Sequence, residues 1–201
     1  DDGPTIQAPN VVSSAAQLVV DETTLATDAQ ANFKTAFDTA FAGKYNYGAD
    51  GQATDAPLSS TYALAVKAAG VDSGLVDTAT GNHVYLFLNS NGVVEGREGS
   101  SAQTATTGTV VFQLTSDGLG GVTLDQQRAV VHTTSSNPDT SEAAVSMASD
   151  LITLSRTDTI QDKDGDFATS TPAILQLGSS LVFKDDGPTI QAPNVVSSAA
   201  Q

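Results

Sequence analysis

The sequence predicts an all-β fold, an antiparallel β-sandwich carrying one short helix. Two observations predict it. Short segments rich in Val, Leu, Thr and Tyr recur along the 201 residues, several of them alternating in polarity, with Gly, Asp, Asn and Ser punctuating them at sandwich-like intervals. One stretch alone breaks that pattern and spaces its apolar residues as a helix does.

Strands are expected at residues 17–22, 61–68, 83–88, 108–115 and 121–124, and again at 129–133, 151–159, 173–177 and 180–183. Turn chemistry separates them, as in the SDGLGG run at 116–121. The helix is expected over 27–41, where Ala29, Phe33, Ala36, Phe37, Ala40 and Phe41 share a face. Thr27 or Asp28 is placed to cap its start and Gly43 to end it. It holds three of the seven phenylalanines, so its apolar face is expected to cover an edge or end of the sandwich. A second helical turn is expected near 142–149, and the polar run 44–60 reads as a surface loop.

Composition narrows the function. Acidic residues number 23 and basic ones 8, for a formal net charge of −15. Such a chain cannot neutralise a row of phosphates, and it is repelled by an anionic membrane surface, so neither nucleic acid nor membrane is an expected partner. No apolar run approaches the roughly 20 residues of a spanning helix. Cysteine is absent, which excludes disulfides, zinc–thiolate sites and thiol catalysis.

The chain also repeats itself. Residues 1–17, DDGPTIQAPNVVSSAAQ, recur letter for letter at 185–201, an offset of 184 residues. Repeats inside one fold diverge, so a match of this kind points to a tandem array. Residues 1–184 are then one complete repeat and 185–201 the start of the next, with neighbouring repeats of the same chain as partners and the isolated fragment monomeric.

The strongest chemical signal is Asp162-Lys163-Asp164-Gly165-Asp166. Alternate residues of an extended loop project to one side, so three carboxylates can converge on one centre. Hard cations with six to eight oxygen ligands need such a centre, and calcium is the expected ion. The run is like the first half of an EF-hand loop, but the glutamate that closes such a loop is missing and the residues that follow read as strand. The alternative is a solvated acidic hairpin turn, for which Asp-Gly is well suited.

A second acidic pair, Asp1-Asp2, returns as Asp185-Asp186, each time followed by Gly-Pro. If 151–159 and 167–177 form a hairpin and the chain reverses at Gly178-Ser179, Asp185 and Asp186 arrive at the same end as Asp162, Asp164 and Asp166. Asp158 is a weaker candidate for that site. Asp21, Glu22, Asp72 and Asp77 are weaker candidates for a site at the opposite end. For each of these a solvated turn carboxylate explains the residue as well.

Taken in order, the segments LVVDETTLATD, the Ala/Phe helix, YALAVKAAGVDSGLVDTATG, NGVVEGR, VTLDQQRAVVH, DKDGD and LVFKDDGP resemble the long tandem repeats of type I-secreted giant RTX adhesins of Gram-negative bacteria. The resemblance covers essentially the whole 184-residue unit. It implies immunoglobulin-like β-sandwich extender modules, stiffened by calcium, that hold a distal adhesive domain away from the cell for surface attachment and biofilm formation. It also implies an extracellular, cell-surface location. The glycine-rich nonapeptide repeats of such proteins are not in this sequence.

Two other functions compete. The two histidines, His83 and His132, sit in strand patterns, and no GxSxG, HExxH, phosphate loop or dinucleotide fingerprint is present, which argues against an enzyme. A calcium-dependent glycan-binding domain is the alternative. Lectins stack sugars on aromatic rings, and here Tyr45 and Tyr47 are the candidates, in a chain without tryptophan.

Overall fold

Fourteen strands and two helices, with the residues between them, account for residues 2–133 and 144–186, which the computed structural model describes. In order they are β1 (Thr5–Ile6), β2 (Leu18–Asp21), β3 (Ala29–Asn32), α1 (Lys34–Phe41), β4 (Tyr45–Asn46), β5 (Leu58–Val66), β6 (Val71–Val76), β7 (His83–Leu88), β8 (Val94–Gly99), α2 (Ala102–Ala105), β9 (Val110–Ser116), β10 (Gly121–Gln126), β11 (Ile152–Gln161), β12 (Phe167–Thr169), β13 (Ala173–Gln176) and β14 (Leu181–Lys184). The expected all-β sandwich is the fold observed. One sheet has six strands in the order β3-β10-β9-β8-β7-β6, all neighbours antiparallel. The other is built around β11, with β5 along one side and β12 then β13 along the other.

Alternation explains why β11 is the spine of its sheet. Its side chains are buried at every second position from Ile152 to Ile160, the period-two pattern of a strand with one face on the core. Leu154 and Ile152 meet Phe112, Leu114 and Phe183 in one apolar core. Gly96 on β8 makes room for this packing: a Cβ there would lie 2.2 Å from the Phe112 ring.

The helix is shorter than expected. The first part of the expected 27–41 helix is not helical, because Ala29–Asn32 pair with Gly121–Leu124 on the edge of the larger sheet. The Asn32 carboxamide oxygen accepts from the Lys34 N–H at 2.9 Å, in place of the cap expected from Thr27 or Asp28. Gly43, at φ +70°, follows the helix end as expected. Phe33, Phe37 and Phe41 are all buried, and Phe37 meets Tyr62 of β5 edge-on at 5.5 Å. The helix therefore packs on the β5–β11 sheet. The strand expected at 129–133 reduces to one bridge between Asp77 and Val130. Of the turn expected near 142–149, residues 142 and 143 lie outside the described residues, and a 3-10 turn occupies Ser149–Leu151. Strands β1, β3, β4, β6 and β8 and the short α2 were not expected, and β4 and the start of β5 fall within the 44–60 run expected as a surface loop.

The expected chain reversal at Gly178-Ser179 does not occur. Antiparallel pairing runs from Gln161–Phe167 through Thr153–Gln176. It continues past a 3-10 turn at Gly178–Ser180: Leu177 donates to the Ile152 carbonyl, and Val145 and Phe183 exchange two backbone hydrogen bonds of 2.9 Å. Gly178 allows the two chains to stay in contact at this jog, since a Cβ there would lie 1.9 Å from the Ala148 carbonyl oxygen. The two arms thus form one long hairpin whose turn is the 162–166 loop. Lys184 leaves at the far end, paired in parallel with Asp21 of β2. At about 3.3 Å per residue the two ends of this hairpin are roughly 40–50 Å apart.

Truncating Phe112 to alanine removes a ring from the middle of this core. The expected loss is about 3–5 kcal/mol of unfolding free energy, read from the urea midpoint at unchanged slope.

Candidate metal centre

The 162–166 loop is folded by its own first carboxylate. Asp162 Oδ1 accepts from the Gly165 and Asp166 N–H groups at 3.1 and 2.8 Å. Gly165 takes φ +105°, a conformation closed to most side chains. The Asp162 N–H donates to the Asp166 carbonyl, and Lys163 N–H donates to the Gly51 carbonyl, which brings in the 48–51 turn. That turn delivers Asp50.

The result is three carboxylates, Asp50, Asp162 and Asp164, each offering an oxygen within 4.8 Å of the others. Asp162 is 1 % exposed, and its Oδ2 has no hydrogen-bond partner among the described residues. A buried, unpaired carboxylate oxygen is strongly destabilising. Asp164 shows the same tension. The neighbouring Asp162 carboxylate, then the charges of Asp166 and Asp50, push its carboxyl above the ordinary value. One cation with metal–oxygen distances of about 2.3–2.6 Å spans three oxygens so spaced, and the all-oxygen donor set suits calcium or magnesium. Asp166 lies at the rim, beside Gly3, where a Cβ would be 3.7 Å from its Oδ2. Asp2 is close by, its carbonyl packed on Gly48. Asp1 lies outside the described residues.

Asp185 and Asp186 are elsewhere. Because the long hairpin carries β14 away from the loop, Asp185 ends up with Glu22 and His132, its carboxylate within 4.8 Å of both. Asp186 lines the same open cleft of about 500 Å³. The expectation that five aspartates of one unit meet is therefore overturned by the register of the hairpin. Glu22 Oε1 accepts from Val130 N–H at 2.8 Å and from the Gln126 amide at 3.1 Å, and lies 3.2 Å from His132 Nε2. Glu22 does stand at the opposite end, as expected of the weaker candidates. Asp21 caps the turn that follows β2, accepting from Thr23 N–H.

The remaining weak candidates have structural partners. Asp72 accepts from Gly74 N–H and pairs with His83 Nδ1 at 2.7 Å. Asp77 is buried under Arg128, which donates to both its oxygens at 2.8 Å. Burial alone would raise the Asp77 carboxyl, but the bonds from Arg128 and Thr80 outweigh it and hold it below the usual range. Asp158 is fully buried and takes two bonds from Arg156, at 2.8 and 2.9 Å, and one each from Tyr45 and Ser60, both at 2.6 Å. It braces β4 and β5 against β11 and does not reach the loop. Burial, then the Asp158 charge, push the Tyr45 hydroxyl far above its ordinary value.

Sequence reasoning missed Asp50 and His132. Asp50 carried the same signal as the main loop, a glycine-flanked aspartate, but 112 residues away. His132 has no local signal, since only the fold brings it to Glu22.

Two outcomes follow. Arg156→Met leaves Asp158 buried without its cation and should lower stability by about 3–5 kcal/mol in urea unfolding. Asp77 and Asp38 both titrate below their unfolded values in the fold. Their contribution is complete above about pH 4 and is lost as pH falls through the folded values. Acid unfolding should therefore steepen below about pH 4, and Arg128→Met should flatten that slope.

No curated protein and no solved structure matches the chain. A family model matches residues 17–174, from β2 into β13. By that match the chain belongs to the family described as a domain of unknown function, DUF5801.

Proposed function

We propose that this chain is a calcium-stabilised extender repeat of a giant cell-surface adhesin of the RTX kind, a spacer that projects a distal adhesive domain for attachment and biofilm formation. The observation that carries the reading is the opposed placement of the two copies of one motif. Asp2-Gly3 lies at the 162–166 end, and Asp185-Asp186 lies at the far end of the long hairpin. A unit that begins and ends with the same motif at opposite ends adds its length to an array each time it is copied.

Cation binding fits the same reading. The unpaired Oδ2 of Asp162 and the crowded Asp164 are relieved by a divalent ion, so binding contributes directly to folding free energy. Absent cysteine and high negative charge suit a chain that crosses a secretion channel unfolded and folds outside in calcium. A glycan-binding role is the second reading, and Tyr45 weakens it: its ring stacks on Phe41 at 6.0 Å and its hydroxyl is held by Asp158.

Melting with and without calcium tests the proposal. A ligand of the folded state alone adds about 2.7 kcal/mol at a hundredfold excess over Kd. The melting temperature should rise in millimolar calcium and much less in magnesium, which resists dehydration. Asp162→Asn should abolish the rise. Asp164→Asn should melt higher than the parent in chelator, because the fold raises that carboxyl and so disfavours its charge, yet gain less from calcium. Identical parent curves in chelator and calcium would refute the metal centre.

A further inference from the structure

The two copies of the boundary motif make different contacts, and this fixes how one unit must meet the next. Asp2 and Gly3 rest on their own unit's Gly48 and Asp166, and Thr5–Ile6 pair with Tyr45–Asn46. Asp185 instead closes the Glu22–His132 cluster. In sequence, Asp185 and Asp186 are the counterparts of Asp1 and Asp2.

We propose that the Asp185-Asp186 pair is held by two units at once. Asp185 stays with Glu22 and His132 of the unit it ends, and Asp186 seats on the Gly48 counterpart of the unit that follows, as Asp2 seats on Gly48. The inference rests on the tandem-repeat reading. The partner is a second copy of this chain, docked head to tail, and the receiving surface is the groove between the 48–51 turn and the 162–166 loop.

The geometry of that groove is specific. Gly48 has φ +74°, and a Cβ there would lie 1.9 Å from the Asp2 carbonyl oxygen, so backbone packs on backbone. Consecutive Cα atoms are about 3.8 Å apart, so a motif used by both units leaves no free linker between them. The Glu22–His132–Asp185 cluster of one unit then faces the Asp50–Asp162–Asp164 cluster of the next across a few residues. The aspartates that fail to meet within one unit meet across the boundary.

The experiment extends the 201-residue chain to two complete units and replaces Ser90 by cysteine in each. Ser90 is exposed and the chain has no other cysteine, so spin labels attach only there. In calcium the label-to-label distance distribution should be narrow. A Gly-Ser-Gly insertion between Asp185 and Asp186 keeps each aspartate with its own cluster and should broaden the distribution several-fold. Gly48→Ala in the second unit alone should broaden it too. If that variant fails to fold, the insertion decides. A parent distribution as broad as that of the insertion variant would overturn the proposal. Melting of the 201-residue chain in calcium and in chelator, run alongside, reports the metal centre separately. A calcium shift with a broad parent distribution defeats only the shared motif, and a narrow distribution with no calcium shift defeats only the metal centre.

Discussion

Antiparallel pairing on either side of the 162–166 loop is the constraint on which the rest of the molecule depends. It ties Gln161 to Phe167 at one end and Val145 to Phe183 at the other. Everything chemical is placed by it. The turn of the hairpin becomes one end of the unit and gathers Asp50 through the Gly51 carbonyl. The open end carries β14 alongside β2 and delivers Asp185 to Glu22. The core is filled from the same strands, since the alternating buried residues of β11 meet Phe112 and Phe183 across the sandwich.

Charge is distributed on the same plan. All three arginines are used within the sandwich: Arg97 on Glu95, Arg128 on Asp77, and Arg156 on Asp158 and Asp38. Glu95, Asp77 and Asp158 are carboxylates that the fold covers, and the fork of a guanidinium suits such sites, while Asp38 stays exposed. Arg156 also lies over the rings of Phe41 and Tyr62, 5.2 and 5.8 Å from their centroids, so one side chain links helix, sheet and carboxylate. Asp162 is as deeply buried as Asp158 but has no arginine. Among the described residues no ion pair reaches Asp162, and the proposed cation would supply that counter-charge. The contrast between two buried aspartates, one with an internal cation and one without, separates a structural carboxylate from a candidate ligand more sharply than the number of aspartates does.

Much of this was legible in the sequence, and the failures share one cause. Strands β5, β7, β9, β10 and β11 announced themselves by alternation, and the DKDGD run marked its turn. Strands β6 and β8, VDSGLV and VEGREG, hid behind glycine and charge. Gly96 is there because the Phe112 ring of the neighbouring strand needs the space, while Glu95 pairs with Arg97 of its own strand. Gly178 read as a reversal for the same kind of reason. Glycine and serine permit a turn, and only the approach of Ala148 shows that the chain jogs and continues. Asp77 looked like a ligand because its arginine, Arg128, is 51 residues away, and Asp158 because its other partners, Tyr45 and Ser60, are 113 and 98 residues away. Local pattern gave elements and the main loop, whereas partners separated in sequence decided which carboxylates are spoken for.

The strand directions also suit a unit that bears load, as the extender reading requires. Strands β2 and β14 run in parallel, with Leu18 beside Leu181 and Asp21 beside Lys184. Tension drawn through the N-terminal segment reaches β2 at its start, and tension drawn through Lys184 leaves β14 at its end. The two strands are then pulled in opposite directions along their length. Such a pair must shear, with its ladder hydrogen bonds loaded together, whereas strands pulled from the same end peel apart one bond at a time. Beneath the pair, Leu18, Val20, Leu181 and Phe183 are buried in the common core, so sliding β14 past β2 also drags apolar side chains out of their packing. Resistance to stretching is thereby concentrated where the chain enters and leaves the sandwich, and the carboxylate ends need only keep successive units aligned with the direction of pull.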